Sequence, residues 1–276
     1  MGSTTLPYME TKPKLIFFTD FDGTITVDDS NDHMIDNLGF GKQERLVLND
    51  QVLDETLSFR DAFRQMLGSI KTPYDECIQI LLKNMKLDPY FLEFYNWAEK
   101  NNVPIVILSS GMYPIISALL EKFLGRKPAS HLTIIANEVV SRDGKDINSE
   151  GGWEIKYHDD SHFGHDKSLE IKPYAALPKE ERPVLLYAGD GVSDLSAAAE
   201  TDLLFAKKGK GIYSTVELIR LEDSADVVPD LVTYCQRRGM PYTTFENWST
   251  ILETTKDILG GTVTASEVAA KAAASQ

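Results

Sequence analysis

Three features that mark other classes of protein are scarce or absent in this sequence. Cys77 and Cys235 are its only cysteines, too few for the disulfide framework of a small secreted domain. We expect both thiols to be reduced and structural. No apolar run approaches the roughly 20 residues that a membrane-spanning helix needs. We therefore predict a cytoplasmic protein with no membrane partner.

Positive charge is the third scarce feature. The chain has 28 lysines and arginines against 42 aspartates and glutamates, a formal net charge of -14. Such a surface repels nucleic-acid phosphates, so we predict no nucleic-acid partner. A small anion is not excluded, because the field inside a metal-containing site is local. The length of 276 residues is enough for a full core with one inserted subdomain. The sequence does not indicate an oligomeric state.

What the sequence does contain is an apolar run that ends in two carboxylates. Residues 15–18 are aliphatic or aromatic, and after Thr19 come Asp20 and Asp22, two positions apart. An uninterrupted apolar run of this length predicts a strand that is buried on both faces in a parallel sheet. Gly23 then permits a sharp turn. Asp20 and Asp22 should therefore lie at the carboxyl end of a central strand, where open α/β sheets bind their ligands.

Polar residues end similar segments further along the chain. A second apolar run ends in Ser109 and Ser110, Lys167 follows a polar loop, and a third apolar run ends in Asp190, with Asp194 shortly after it. Each group falls where a predicted strand ends or a predicted helix begins. In this order, the four segments resemble the motifs of the haloacid dehalogenase superfamily in its phosphatase form.

The similarity extends from the first motif to the Trp248 region and is greatest to fungal phosphatases that act on sugar-alcohol phosphates. These belong to the phosphoserine-phosphatase-like branch of the superfamily. The resemblance implies an α/β fold with a Rossmann-like parallel sheet, helices on both faces of it, and a helical cap inserted after the first strand.

The expected domain organisation combines the periodicity of the chain with the resemblance. Residues 30–100 show helical spacing of apolar residues and contain no parallel-strand run, which predicts a helical insert between the first two strands. The resemblance implies that this insert is the cap. Residues 13–29 and 101–276 would form the catalytic core, and residues 1–12 a flexible arm. One continuous domain, with these helices simply packed on the sheet, is the alternative. Residues 208–228 look like an insertion that serves either as a lid or contact surface or as a variable surface loop.

The resemblance also assigns catalytic roles. Asp20 is the nucleophile that forms an aspartyl-phosphate, and Asp22 is the general acid and base. Lys167 neutralises the phosphate and the nucleophile. The acidic residue at position 22 favours phosphomonoester hydrolysis or phosphotransfer, because the related ATPase pumps have lysine at this place. The non-enzyme alternative is a catalytically silent scaffold with the same fold.

The same resemblance implies Mg²⁺ as the cofactor. Its expected ligands are the carboxylates of Asp20 and Asp190 and the backbone carbonyl of Asp22, completed by water in a shell of hard oxygen atoms. Asp194 would orient a metal-bound water. A cluster containing His158, His162 and His165 matches no zinc-binding spacing and is interpreted as a polar loop.

Two groups of residues are candidates for substrate binding. Ser109 would donate a hydrogen bond to a phosphoryl oxygen because it directly ends the predicted strand, and Ser110 competes for this role. Asp29 and Arg64 lie near the positions at which an acidic residue and a cap arginine recognise the amino acid in phosphoserine phosphatases. The side chain of Asp29 is shorter than the glutamate that the family has at this place, which argues against recognition of an amine.

A hydroxyl-rich ligand needs donors and acceptors rather than a pair of charges, and Asp28, Ser30, Asn31 and Asp32 supply them. We therefore expect the partner to be a small-molecule phosphomonoester, with a polyol or sugar phosphate preferred. Phosphoserine and a methionine-salvage enol phosphate are the alternatives.

Overall fold

A computed structural model of the chain describes residues 6–208 and 231–274. The first residues of the predicted arm and nearly all of the predicted insertion at 208–228 lie outside this part. A seven-stranded sheet forms the centre of the molecule. Its strands are β1 (Leu15–Thr19), β2 (Ile105–Met112), β3 (Leu132–Ser141), β4 (Trp153–Lys156), β5 (Val184–Gly189), β6 (Leu203–Lys207) and β7 (Thr243–Phe245).

The strand order is β4-β3-β2-β1-β5-β6-β7. All neighbouring strands are parallel except β3 and β4, which form an antiparallel pair. In β1, Leu15 and Phe17 pack into one apolar core and Ile16 and Phe18 into another, on opposite faces of the sheet. The strand is therefore buried on both faces, as its uninterrupted apolar sequence predicts.

Helices cover both faces of the sheet and confirm the predicted fold class. Five of them lie between β1 and β2: α1 (Ser30–Leu38), α2 (Lys42–Leu53), α3 (Phe59–Gly68), α4 (Tyr74–Asn84) and α5 (Phe91–Lys100). The later helices are α6 (Tyr113–Leu124), α7 (Lys167–Ala175), α8 (Leu195–Ala198), α9 (Leu231–Arg238), α10 (Trp248–Gly260) and α11 (Ala265–Ala273). Within the described residues, no helix is long and apolar enough to cross a membrane.

Two of the five helices from α1 to α5 begin with a side-chain cap. Asp29 accepts the backbone N–H groups of Asn31 and Asp32 at the start of α1, and Ser58 caps α3. At the other end of the segment, α5 packs on the sheet itself, because the Phe94 ring lies 4.8 Å from the ring of Phe17. The division into a cap at 30–100 and a core therefore stays a prediction.

β2 is longer than expected. Ser109 was predicted to end it, but the strand continues to Met112, with a shift of register between Leu108 and Met112. That prediction was wrong because the irregular pairing allows the strand to continue past its apolar run. β3 continues to Ser141 and forms an antiparallel pair with β4.

The chain is tightly folded after β5. A 3₁₀ turn at Val192–Asp194 is followed by the short α8. The turn is tight because the Asp194 carboxylate accepts the N–H groups of Asp190 and Gly191. Lys207, directly before the predicted insertion, is buried at the end of β6.

Candidate active site

The four polar segments meet at the carboxyl edge of the parallel strands, which we call the carboxylate edge. Asp20 follows β1, Asp190 follows β5, Ser109 lies in the last part of β2, and Lys167 begins α7. Parallel strands end on the same side of a sheet, so the pairing of β1 with β2 and with β5 brings these segments together. Asp20 and Asp190 are far apart in the sequence, but the pairing of β1 with β5 brings them close in space.

A lysine joins two of the carboxylates. Lys167 Nζ lies 3.0 Å from Asp20 Oδ1 and 2.6 Å from Asp194 Oδ1, and both Lys167 and Asp194 are 0% exposed. Burial lowers the pKa of Lys167, but the charges of Asp194 and Asp20 outweigh that effect and raise it above its usual value. The lysine is therefore a permanent buried cation against Asp20.

The Asp20 carboxyl is buried as well. Burial raises the pKa of Asp20 to about 7, although the charge of Lys167 opposes this shift. Its backbone N–H donates to the carbonyl oxygen of Ala188 on β5, at 2.9 Å. The residue is thus fixed on its backbone side by the neighbouring strand and on its side-chain side by the lysine.

Asp194 is the anchor of this group. Besides Lys167, its carboxylate accepts the Tyr187 hydroxyl at 2.5 Å and the backbone N–H groups of Asp190 and Gly191 at 3.0 and 3.1 Å. A carboxylate has about four acceptor positions, and these four donors use them. The Asp194 carboxylate therefore holds Lys167, Tyr187 and the backbone of residues 190–191 in position.

Tyr187 was not foreseen as a site residue, since its place in a buried apolar run suggests only packing. The available signal was its hydroxyl, because a fully buried tyrosine oxygen needs a hydrogen-bond partner. Burial raises the pKa of Tyr187 well above its usual value, and the charge of Asp194 adds to the shift. The hydroxyl therefore stays protonated and donates a hydrogen bond to Asp194.

Asp22 has different surroundings. Its Oδ1 accepts the backbone N–H of Ser30 at 2.8 Å, and its Oδ2 accepts the side-chain amide of Asn31 at 3.0 Å. Burial raises the pKa of Asp22 well above its usual value, and the nearby charge of Asp29 adds to the shift. The protonated form that a general acid requires is therefore favoured. Asn31 is a second residue that the sequence did not single out for this contact, since it lies in a helix-capping segment.

Oxygen donors converge where the magnesium site was expected. Asp20, Asp190 and Asp194 each place a carboxylate oxygen within 4.8 Å of the others. Gly23 has a φ of +71°, and a Cβ atom at this position would lie only 2.0 Å from Asp190 Oδ2. Only glycine leaves room for that carboxylate. A set of hard carboxylate oxygens fits Mg²⁺.

The serine pair lies directly beside Asp22. Ser109 is buried, and its Oγ accepts the backbone N–H of Gly111 at 2.9 Å. A Cβ at Gly111 would lie 2.8 Å from Asp22 Oδ2 and 3.2 Å from Ser109 Oγ. Ser110 Oγ is buried and has no hydrogen-bond partner within the described part of the chain. Both serines thus stay candidates for the phosphate contact.

The other two predicted substrate residues have structural contacts of their own. Asp29 caps α1, and the shift that its charge causes in the pKa of Asp22 places it near the site. Arg64 is exposed on α3, with its guanidinium carbon 5.3 Å from the centre of the Tyr157 ring. The structure therefore brings Asp29 toward the carboxylate edge and places Arg64 against Tyr157.

A second buried group holds the loop after Gly23. The Thr24 carbonyl oxygen accepts the indole N–H of Trp248 at 2.8 Å, and Lys207 Nζ lies 3.5 Å from the same oxygen. Lys207 Nζ is also 3.6 Å from Asp88 Oδ2. These contacts connect β6 and α10 to the loop that carries Asp20 and Asp22.

Comparison with known proteins identifies the family of this site. The profile of the haloacid dehalogenase-like hydrolase family matches residues 17–199, which include all four segments of the carboxylate edge. The chain belongs to this family. Its members include hydrolases with many substrates, so the match alone does not name the substrate.

Two relatives cover nearly the whole chain. Pdp3-interacting factor 1 of Schizosaccharomyces pombe is 47% identical over 88% of this chain and 95% of its own length. Polyol phosphate phosphatase PYP1 of Saccharomyces cerevisiae is 45% identical over 92% of this chain and 98% of its own length.

Among solved structures, a phospho-aspartyl intermediate analogue of phosphoserine phosphatase has a TM-score of 0.50 at 19% identity. The match covers 71% of this chain and 86% of the chain in the solved structure. At 19% identity it shows the fold alone. The family and the relatives make the present protein an enzyme of the phosphoric monoester hydrolase class.

Proposed function

We propose that this protein is a Mg²⁺-dependent phosphatase that hydrolyses a polyol or sugar phosphate through an aspartyl-phosphate on Asp20. The observation that carries the proposal is the contrast between two buried carboxyls at one edge of the sheet. Asp20 is paired with the Lys167 cation, whereas Asp22 is held by neutral N–H donors and favours its protonated form. A nucleophile and an acid need these two different environments.

In the first step, a carboxylate oxygen of Asp20 attacks the phosphorus, and the bond from phosphorus to the substrate oxygen breaks. Asp22 gives its proton to that departing oxygen, so the alcohol leaves neutral. In the second step, Asp22 takes a proton from the attacking water, the acyl phosphate bond breaks, and Asp20 is released with inorganic phosphate.

The repulsion between a carboxylate and a phosphate opposes the first step. Lys167 offsets part of it as a buried positive charge. Asp20, Asp190 and the backbone carbonyl of Asp22 would hold Mg²⁺, which supplies further positive charge when bound. Ser109, or its neighbour Ser110, donates a hydrogen bond to a phosphoryl oxygen, and Asp194 keeps Lys167 and the 190–191 backbone in place.

The substrate class is supported by sequence similarity and by the contacts of two charged residues. One relative, 45% identical over 92% of this chain, is named a polyol phosphate phosphatase. Recognition of phosphoserine would use a charge pair, but Asp29 caps a helix and Arg64 stacks against Tyr157. A ligand that offers hydroxyl groups instead of charges fits this arrangement.

Steady-state turnover of a panel of phosphomonoesters tests the proposal. The panel contains ribitol, sorbitol, mannitol and glycerol phosphates, sugar phosphates, phosphoserine, the methionine-salvage enol phosphate and an aryl phosphate. We expect the highest kcat/KM with a polyol or sugar phosphate, loss of turnover in EDTA, and recovery with Mg²⁺. A preference for phosphoserine or the enol phosphate would refute the substrate class, and turnover in EDTA would refute the metal requirement. Failure on every compound would favour the silent scaffold.

A further inference from the structure

A group of three side chains outside the carboxylate edge has the composition of a transition-metal site. His158 follows β4, His165 lies two residues before α7, and Glu170 lies in the first turn of α7. One ring nitrogen from each histidine and one carboxylate oxygen of Glu170 all lie within 4.8 Å of one another. The two imidazole rings have centroids 4.6 Å apart.

His165 supplies a second, independent observation. Its Nδ1 lies 2.9 Å from the carbonyl oxygen of Ser109. Because a carbonyl oxygen only accepts, Nδ1 carries the hydrogen and Nε2 carries the lone pair. The residue is 1% exposed, and Nε2 has no hydrogen-bond partner anywhere in residues 6–208 or 231–274. A buried acceptor left in this state is rare in proteins.

This arrangement of His165 is the one that metal-binding histidines adopt. Such a histidine donates one ring N–H to a backbone carbonyl or a carboxylate, which fixes the ring and directs the other nitrogen at the metal. Here the Ser109 carbonyl fixes the ring. The polar contact between His158 and Glu170 accounts for those two side chains alone and leaves His165 Nε2 unexplained.

We propose that His158, His165 and Glu170 form a second metal site, which binds Zn²⁺ or a similar nitrogen-preferring ion and shares no residue with the carboxylate edge. Two imidazoles and one carboxylate are a ligand set that zinc accepts, with water in the fourth position. Magnesium prefers oxygen atoms alone, so the two sites differ in the metal that they select.

The dimensions of the cluster suit a small tetrahedral ion. Bonds of about 2.0–2.1 Å at tetrahedral angles place neighbouring ligand atoms about 3.3 Å apart. His158 Nε2 and Glu170 Oε1 are already 3.2 Å apart. Their side chains are 35% and 33% exposed, so they have room to rotate toward His165, and the ion enters from solvent on their side.

Both histidines are also connected to the serine pair. His165 contacts the Ser109 carbonyl directly. The His158 backbone N–H donates to Asn137 at 2.8 Å, and the Asn137 amide donates to the Ser110 carbonyl at 2.7 Å. An ion that fixes both histidines would therefore also stabilise the β2 segment that carries the candidate phosphate ligands.

Zinc titration of the full chain, stripped of metals and then supplied with excess Mg²⁺, tests the site by calorimetry and by thermal melting. The variants are His158→Ala and Glu170→Gln, both at partly exposed positions, and the matched control is His162→Ala, an exposed histidine of the same loop outside the cluster. Asp190→Asn separates the two metal sites. Circular dichroism checks the fold of each variant.

We expect one equivalent of Zn²⁺ to bind to the unmodified protein, to His162→Ala and to Asp190→Asn, and to raise Tm in each. His158→Ala and Glu170→Gln should weaken binding by about tenfold or more, as the loss of one ligand of three implies. Co²⁺ in place of zinc should show the visible absorption of a nitrogen-containing tetrahedral site, and the same two variants should lose it. Unchanged zinc affinity in His158→Ala, or loss of binding in Asp190→Asn, would overturn the proposal.

Discussion

Charged side chains serve different purposes at the carboxylate edge and in the helical segment between β1 and β2. At the edge, Lys167 and Asp194 are fully buried and pair with each other. In the helical segment, Arg64 is exposed and stacks on Tyr157, and Asp29 caps a helix. Buried charges are costly unless each is paired, so breaking the Lys167–Asp194 pair should cost more than removing the exposed charge of Arg64. Asp29 differs from Arg64 because its charge raises the pKa of Asp22.

The largest effect should follow from removing the nucleophile at the edge. Asp20→Asn keeps the size of the side chain and leaves Lys167 paired with Asp194, but it cannot form an acyl phosphate. We expect kcat to fall by about 10³-fold or more, since the covalent step is lost. Turnover of the preferred substrate measures this, with circular dichroism as the test of folding.

The matched control for this substitution is Asp54→Asn, an exposed aspartate in the helical segment. It should leave kcat within about twofold of the unmodified enzyme, because a solvated surface charge has little effect on distant chemistry. If Asp20→Asn retained a tenth of the activity, the assignment of the nucleophile would fail.

Removal of the buried cation should cause the largest loss of stability. Lys167→Met keeps most of the side-chain volume but leaves Asp20 and Asp194 buried together without a positive charge. We expect the free energy of unfolding to fall by about 3–5 kcal/mol, as for other broken buried pairs. The exposed Lys71 of the helical segment, changed to Met, should cost less than about 0.5 kcal/mol. Urea unfolding measures both free energies. Equal losses in the two variants would show that the charge at the carboxylate edge is no more important for stability than an exposed charge of the helical segment.

Two buried tyrosines allow a finer comparison. Tyr187 donates to the Asp194 carboxylate at the edge. The hydroxyl of Tyr74 in α4 is buried without a hydrogen-bond partner among the residues that the structure describes. Tyr187→Phe should cost about 1.5–3 kcal/mol, because a hydrogen bond to a charged group is lost. Tyr74→Phe should be neutral or slightly stabilising.

Thermal melting compares the stability of the two tyrosine variants, and steady-state kinetics measures their activity. Because Tyr187 acts through Asp194, Tyr187→Phe should lower kcat more than it changes KM. Equal melting temperatures for the two variants would show that the Tyr187 hydroxyl does not support the carboxylate group.

The smallest effect is expected at Arg64. Its exposed guanidinium stacks on Tyr157, so Arg64→Ala should change kcat/KM for the preferred polyol phosphate by less than about threefold. Arg60 is the comparison, because its guanidinium donates to the Asp159 carbonyl at 2.8 Å and joins α3 to the loop before α7. Arg60→Ala should lower Tm more than Arg64→Ala does. A loss above tenfold in Arg64→Ala would restore this arginine as a substrate ligand.

The sequence predicted those parts of the site that depend on the ends of strands. Asp20 and Asp190 follow apolar runs, so local patterns place them at strand ends, and parallel pairing then brings them together. Lys167 and the complete fold class came from the motif resemblance, while the apolar runs alone predicted a buried parallel sheet. The motif resemblance gave the order of the segments, and the family match confirms it.

Contacts that depend on partners far apart in sequence were not predictable in this way. Tyr187 and Lys207 lie in apolar surroundings, and their polar roles depend on the positions of Asp194 and Asp88. For the same reason, the sequence led us to interpret His158 and His165 as part of a polar loop and did not connect them with Glu170. The cluster is assembled by a loop that folds back on α7, and its irregular spacing carries no helical or strand period.

The hydrogen bond from Trp248 to the Thr24 carbonyl has a consequence for how the enzyme is made. The two residues are 224 positions apart, so the loop of Asp20 and Asp22 is held from a part of the chain that the ribosome delivers late. A nascent chain released after Asp194 contains every family motif but lacks the indole that fixes this loop. Premature termination would thus yield fragments that bear the phosphatase signature while lacking a support of the site. The order of synthesis delays assembly of the loop around its nucleophile until Trp248 has emerged, well after the last family motif.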